Sequence, residues 1–239
     1  MTADFPALSV VIPALNEQAS IANVVRAVLA QAQTLGVRAE ALVVDGGSSD
    51  ATRREAESGG ARVVAQQAPG YGNALREGFA QARGEYVAVM DGDGSHDPAA
   101  LAEMWRLRNN ADLVVGSRLI GGGGMEVPWS RRWVSAAMNF FSMRGLGFPV
   151  ADSSSGYRLY RASMLARVRT EARGFDVQQD LLMRMLAEGA RTIEVPIQYV
   201  WRKQGVSKAR VGLSALGYFR LAARMLGARL FGGRRGSGN

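Results

Sequence analysis

Along the first half of the chain, short β-branched runs alternate with stretches whose apolar residues recur every three to four positions. Residues 8–13 predict a buried strand, and residues 17–32 a helix with Ile21, Val24, Val25, Val28 and Leu29 on one face. Residues 41–45 predict a second strand. The polar turn Gly46-Gly47-Ser48-Ser49-Asp50 follows and feeds a helix N-cap. Strands are further predicted at 62–64, 85–90 and 112–116, with helices at 73–82 and around 98–107. Strands alternating with helices in this way predict a mostly parallel, Rossmann-like sheet with right-handed crossovers and helices on its faces.

From Gly121 the rhythm changes. Four consecutive glycines, Gly121 to Gly124, predict a flexible loop suited to a lid or hinge. Residues 133–146 predict a helix apolar over most of its surface. A strand at 156–161, a helix at 178–188, a strand at 192–200 interrupted by Pro196, and a last helix at 213–230 complete the series.

Composition narrows the functional classes. The chain has 239 residues, 47% of them hydrophobic, enough for a sizeable core, and no cysteine. Disulfides, cysteine zinc sites and thiol catalysis are therefore excluded. No run of ~18 uncharged apolar residues predicts a membrane span, and residues 1–7 carry no leader pattern. A cytoplasmic location is expected. Nine basic residues and no acidic one follow Glu194, against a net charge of +8 for the whole chain, so residues 1–194 sum to −1. Such a cationic end seeks phosphates.

Ligands of open α/β sheets sit beyond the carboxyl ends of the strands. Asn16 and Glu17 follow the first predicted strand, Asp45 ends the second, and Asp91 and Asp93 follow the fourth. Asp91-Gly92-Asp93 offers oxygen ligands suited to Mg²⁺ or Mn²⁺, with room for substrate phosphates; the alternative is that these acids only cap the next helix. His96, the one histidine, is expected to hydrogen-bond locally and orient the Asp93 loop, the alternative being that it completes the metal shell. Ser153-Ser154-Ser155 has no histidine partner to suggest a hydrolase and reads as a loop with a phosphate or sugar contact.

Several motifs, in order, resemble family-2 glycosyltransferases. They are Val11-Ile12-Pro13-Ala14-Leu15-Asn16-Glu17, Val43-Val44-Asp45-Gly46-Gly47-Ser48-Ser49-Asp50, Gly70-Tyr71-Gly72-Asn73-Ala74 and Met90-Asp91-Gly92-Asp93. Gly116-Ser117-Arg118, Ser155-Gly156-Tyr157-Arg158-Leu159-Tyr160-Arg161, Glu194-Val195-Pro196-Ile197 and Arg202 with Gly205-Val206-Ser207-Lys208 are similar to the dolichol- or polyprenol-phosphate mannose synthase branch. The resemblance implies a GT-A fold: a mixed, mostly parallel sheet flanked by helices. It implies a transferase domain over 1–210, followed by a basic amphipathic helix and tail over 211–239. Pro13, Asn16, Glu17 and Gly72 would line the nucleotide pocket, with Asp45 on the base or ribose and Asp91 and Asp93 on the metal. Arg118, helped by Arg131 or Arg132, would meet an acceptor phosphate, and Arg202 and Lys208 would clamp the diphosphate. Three departures blur donor identity: Leu15 stands where an aromatic is common, Gly46 where a second Asp is frequent, and Ser95 where a Gln often completes the metal shell.

The expected reaction moves a sugar, mannose from GDP-mannose first and glucose from a uridine donor next, onto a polyprenyl phosphate with inversion. An anionic phosphate needs no general base, only cationic positioning. The rival is a soluble hydroxyl acceptor, which needs a base. Asp180 fits that role, or simply compensates the N-terminal charge of its helix. The helix at 213–230, with Arg220, Arg224 and Arg229 near one face, is expected to lie peripherally on an anionic membrane. A nucleic-acid partner is not expected, because aromatic-basic interleaving is absent and the acidic cluster would go unexplained.

Overall fold

The computed structural model describes residues 5–200 apart from 128 and 146. Arg202, Lys208, the expected helix at 213–230, the expected boundary at residue 210 and the side chain of Arg131 lie outside the described residues. The strands are β1 (Leu8–Ala14), β2 (Ala39–Asp45), β3 (Arg62–Ala65), β4 (Tyr86–Val89), β5 (Leu113–Ser117), β6 (Gly124–Glu126), β7 (Arg158–Arg161), β8 (Thr192–Pro196) and β9 (Gln198–Val200). The helices are α1 (Ile21–Thr34), α2 (Thr52–Ser58), α3 (Tyr71–Gln81), α4 (Ala100–Leu107), α5 (Trp129–Gly145), α6 (Ala162–Leu165) and α7 (Val177–Ala187).

The main sheet runs β3-β2-β1-β4-β7-β5-β8, and β6 pairs with β9 in a second, two-stranded sheet. Every pairing in the main sheet is parallel except the two made by β7, which is antiparallel to β4 and β5. The uninterrupted apolar runs follow from burial on both faces. Val10 and Ile12 of β1 and Val43 of β2 pack with α1 and α4, where Ile21, Val25, Leu101 and Met104 are buried. The alternate residues Val11, Leu42 and Val44 face α3 and α7, with Leu75, Leu181 and Met185. The result is three layers, helix on sheet on helix. Strand order reverses between β1 and β4, and their carboxyl ends open a crevice there.

Four details depart from the sequence pattern. α1 begins at Ile21, because residues 17–20 form a turn in which the Ser20 and Ile21 N–H groups donate to the Glu17 carbonyl. The strand from residue 156 lies antiparallel among parallel ones, a direction that apolar periodicity does not encode. The glycine run ends in pairing: Gly124 opens β6 opposite Gln198. Pro196 divides the expected last strand between the two sheets, β8 in one and β9 in the other.

Gly72 has a packing role. A Cβ there would collide with the Ala172 carbonyl oxygen and stand 2.9 Å from its carbon, and the Gly72 N–H donates to the Arg173 carbonyl at 2.9 Å. Gly72→Ala is expected to destabilise the protein by about 1–3 kcal/mol, the usual range for overpacking. At ~2–4 °C per kcal/mol for a chain of this size, a thermal melt reads it directly.

Candidate active site

A cavity of about 410 Å³ fills the crevice. Pro13 lines it from the end of β1, Leu15 and Glu17 from the loop that follows, Gly46 from the turn after β2, and Asp91 and Asp93 from the turn after β4. The segment Arg173 to Asp176, running into α7, closes the α3 side.

The β1 loop that lines the cavity is tied to the β2 loop. Asn16 adopts φ 50°, a left-handed conformation that Asn tolerates better than most residues. Its Oδ1 accepts from the Ser49 N–H at 2.8 Å, and its own N–H donates to Ser48 Oγ at 2.9 Å. Glu17 donates its N–H to Thr52 Oγ1 at 2.7 Å while lining the cavity. Asn16 does not line the cavity; it sets the loop that does.

Asp45, expected on the base or ribose, is engaged within the protein. It is fully buried and does not line the cavity. Its carboxylate accepts from the Gly47 and Ser48 N–H groups and from Arg53 Nε at 2.6 Å. Burial alone would raise its pKa, but the hydrogen bonds from Ser48 and Arg53 outweigh it and hold the carboxyl below its ordinary value. Gly46 reaches the cavity instead. A Cβ at Gly46 would stand 3.1 Å from Gln66 Oε1, so Gln66 occupies the space a larger residue at 46 would need. Gly72 likewise does not line the cavity; its N–H is taken by Arg173.

At the end of β4 the Asp91 N–H donates to His96 Nδ1 at 3.2 Å. Burial lowers the His96 pKa against the opposing pull of Asp91 and Asp93, so the ring is neutral at pH 7 with its proton on Nε2. His96 stacks on Tyr157 at 5.1 Å and meets Tyr199 edge-on at 5.5 Å. Its Nδ1 lone pair is spent on the backbone of the acidic turn, which it orients as the sequence suggested. Asp93 Oδ1 accepts the Ser95 N–H at 3.0 Å.

The donor set suits Mg²⁺ or Mn²⁺ bound with water and phosphates. Asp91 and Asp93 both line the cavity, and a Cβ on Gly156 would come no nearer than 3.7 Å to the Asp91 oxygens, so the facing glycine leaves space beside them. Among the described residues no group of three His, Asp or Glu side chains could hold a metal ion. One or two carboxylates completed by water and substrate phosphates is the usual Mg²⁺ arrangement.

Arg118 follows β5. Its guanidinium is bidentate to the fully buried Asp152, with Nε to Oδ2 and Nη2 to Oδ1 both at 2.7 Å, and Nη2 also reaches Ser154 Oγ at 2.8 Å. Burial opposes ionisation of Asp152, but Arg118 holds its carboxyl below the ordinary value. The Ala151 and Asp152 N–H groups donate to the Glu194 carboxylate at 2.7 and 3.0 Å. Asn139 of α5 donates to Ser154 Oγ at 3.0 Å and accepts from Ser153 Oγ at 2.9 Å. The buried Arg158 donates to the Ser153, Ser155 and Gln178 carbonyls, pinning the serine loop to α7. Tyr199 lies 5.6 Å from the Arg118 guanidinium carbon and meets His96, whose Nδ1 receives the Asp91 N–H, so these two rings neighbour both Arg118 and the acidic turn.

Asp180 is set apart from the cavity. It is buried, its Oδ2 accepts from Arg184 Nε at 2.8 Å, and it does not line the cavity. Asp176, one turn earlier, does. Sequence reasoning missed Asp152, Asn139, Phe175 and Asp176. Only Asp176 left a usable signal, a second acid four residues before Asp180.

The fold and this strand-end chemistry define a nucleotide-dependent transferase scaffold, and the chain belongs to glycosyltransferase family 2, whose family description, Glycosyl transferase family 2, matches residues 9–169. It is 37% identical to Undecaprenyl-phosphate mannosyltransferase of Micrococcus luteus over 73% of this chain and 77% of that protein. It is 34% identical to Polyprenol monophosphomannose synthase of Mycolicibacterium smegmatis, over 83% and 79% respectively. Crystal structures of glucosyl-3-phosphoglycerate synthase from Mycobacterium tuberculosis share the fold. The complex with phosphoglyceric acid superposes with TM-score 0.71 at 23% identity, covering 94% of this chain and 80% of that one. The complex with Mn²⁺, UDP-glucose and phosphoglyceric acid gives 0.70 at 24%, covering 94% and 79%.

Proposed function

We propose that the protein moves a hexose from a nucleotide-sugar donor in the β1–β4 cavity onto a polyprenyl phosphate positioned at Arg118, with mannose from GDP-mannose as the leading pair. The observation that carries this reading is that the Asp91–Asp93 turn and an arginine fixed by a buried aspartate share neighbours: His96 receives the Asp91 N–H and meets Tyr199, which lies 5.6 Å from the Arg118 guanidinium carbon. The names of the relatives, an undecaprenyl-phosphate mannosyltransferase and a polyprenol monophosphomannose synthase, support it.

Asp91 and Asp93 would hold Mg²⁺ or Mn²⁺, the ions present in crystals of the structural neighbours. The bound ion would supply charge stabilisation for the departing diphosphate. Pro13 and Glu17 flank the nucleotide, and Arg202 and Lys208 clamp its diphosphate. Arg118 orients an acceptor phosphate oxygen for attack on the anomeric carbon. The bond from that carbon to the donor phosphate oxygen breaks, its electrons leave with the nucleoside diphosphate, and the anomeric configuration inverts. No proton has to move, because the acceptor phosphate is already ionised. A hydroxyl acceptor would need a base, and Asp180, the candidate the sequence offered, is turned to Arg184.

The acceptor also explains the outer face of α5. Trp129, Trp133 and Phe140 are 76%, 71% and 62% exposed and, with Met143, share one helical face. The exposed Arg132 and Arg144 flank it on either side. An apolar aromatic face edged by arginines fits the headgroup region of an anionic bilayer. Asn139 on the same helix reaches the serine loop at Arg118, which links that face to the acceptor site. None of the described helices is long and apolar enough to cross a membrane.

The test is radiolabelled transfer from GDP-mannose, UDP-glucose and UDP-N-acetylglucosamine into an organic-extractable polyprenyl phosphate, with Mg²⁺, Mn²⁺ or EDTA. Metal-dependent label in the organic phase is expected. Release of nucleotide without lipid labelling would sink the lipid acceptor and leave a soluble one.

A further inference from the structure

We propose that Asp176 selects the sugar of the donor, its carboxylate accepting hydrogen bonds from hydroxyl groups of the hexose ring. This rests on the reading of the cavity as a nucleotide-sugar site and goes beyond it by assigning the end that reads the sugar.

Asp176 immediately precedes α7, in the position where an aspartate ordinarily accepts a hydrogen bond from the first-turn N–H groups. It makes no such bond. Its backbone is already helical, at φ −63° and ψ −13°, and the residue lines the cavity. A capping residue that does not cap leaves its carboxylate for something else.

The segment that carries it is held from several sides. Phe175 stacks on Tyr71 with ring centroids 4.7 Å apart and planes 20° from parallel. Tyr71 OH in turn accepts from Gln178 Nε2 at 3.3 Å, in the first turn of α7. Gly70 and Gly72 let the 172–173 backbone lie directly on the start of α3; a Cβ on Gly70 would stand 2.6 Å from the Arg173 carbonyl oxygen. A carboxylate mounted on so restrained a backbone is preorganised for a ligand.

Charge and metal geometry narrow what that ligand is. Among the described residues no group of three His, Asp or Glu side chains could hold a metal ion, so Asp176 is not clustered with Asp91 and Asp93 as a metal-ligand triad. A carboxylate repels the donor diphosphate, so the part of the donor it suits is uncharged and rich in hydroxyls. The nucleotide end is bounded by Leu15, Gly46 and Gln66. Next to Asp176, Phe175 stacks on Tyr71, and a Cβ on Gly156 would stand 3.3 Å from Tyr71 OH and 3.7 Å from Asp91 Oδ1, so the segment carrying Asp176 neighbours the acidic pair. The sugar is the neutral, hydroxylated part attached at the diphosphate. An ionised acceptor makes stronger hydrogen bonds than a neutral one and is selective for hydroxyls in the right place.

The experiment compares wild type with Asp176→Asn, using the donor the wild type prefers and its hexose epimers on the same nucleotide. Affinity for the free nucleoside diphosphate with Mn²⁺ is measured in parallel. The expected result is a roughly 10–100-fold collapse of the kcat/KM ratio between preferred sugar and epimers, with diphosphate affinity unchanged within about twofold. Gly174→Ala is the second variant. A Cβ there would stand 3.0 Å from Asp176 Oδ1, displacing the carboxylate while keeping its charge, and it should relax selectivity too. An equal loss with every sugar, or weakened diphosphate binding, overturns the assignment. If Asp176→Asn does not fold, an unchanged ratio in Gly174→Ala overturns it. Wild-type protein that binds none of the nucleotide sugars overturns the underlying reading and the proposal with it.

Discussion

Replacing Asp91 or Asp93 by asparagine lowers kcat/KM for sugar transfer by roughly 10²–10³-fold, the scale of the several kcal/mol a metal contributes to a charged transition state. Both acids line the cavity at the end of β4, and both substitutions are isosteric, so the surrounding packing is kept. His96 does not confound the result. Its pKa is lowered chiefly by burial, and Asp91 and Asp93 oppose that lowering, so removing either leaves the ring neutral. Its Nδ1 still receives the backbone N–H of residue 91. The loss should be partly recovered at high Mn²⁺, because the defect is in binding the ion. Titrating Mn²⁺ against wild type and each variant measures this. Unaltered transfer with an unaltered metal requirement would remove the pair from the metal site.

The fold was legible wherever burial writes a pattern. β1, β2, β4 and β5 are covered on both faces, so their sequences are nearly unbroken apolar runs, and the turns between them are polar. Direction and partner leave no such trace. Arg158–Arg161 reads as a strand either way round, and only the sheet shows it antiparallel between β4 and β5. The start of α1 was misplaced because Glu17 donates its N–H to Thr52, 35 residues away, and no local periodicity reports that bond.

The site divides in the same way. The place of Asp91 and Asp93 at the cavity was readable because strand ends are where acids converge. Asp45 sits at a strand end too, yet its own turn and Arg53 take the carboxylate. Between Asp176 and Asp180 the first residue of a helix decides the outcome. α7 opens at Val177, which leaves Asp176 at the cavity and carries Asp180 round to Arg184. The partner of Arg118 was invisible for a simpler reason. Asp152 lies 34 residues further on in a loop with no motif to mark it.

That partner gives the second large effect. Asp152→Asn removes the charge opposite Arg118 inside the protein, and breaking one side of a buried ion pair costs about 3–5 kcal/mol. At ~2–4 °C per kcal/mol this is a drop of roughly 6–20 °C in Tm. The loop itself should stay in place, since the Ala151 and Asp152 N–H groups remain bound by Glu194 and Arg158 still holds the Ser153 carbonyl. The defect therefore falls on the aim of Arg118, and the acceptor KM should rise more than kcat falls. The pH dependence has a definite sign. The folded Asp152 carboxyl lies below its ordinary value of 3.8, so its stabilisation is present above that value and is lost as pH falls through the lower folded one. Urea midpoints for wild type and variant should thus differ most at neutral pH, begin to converge below about pH 4, where the unfolded carboxyl protonates, and meet only below the lower folded value, where the folded carboxyl is protonated too. A constant gap across that range would mean the variant acts through shape rather than charge, and Arg118 would then be held by something other than its pair with Asp152.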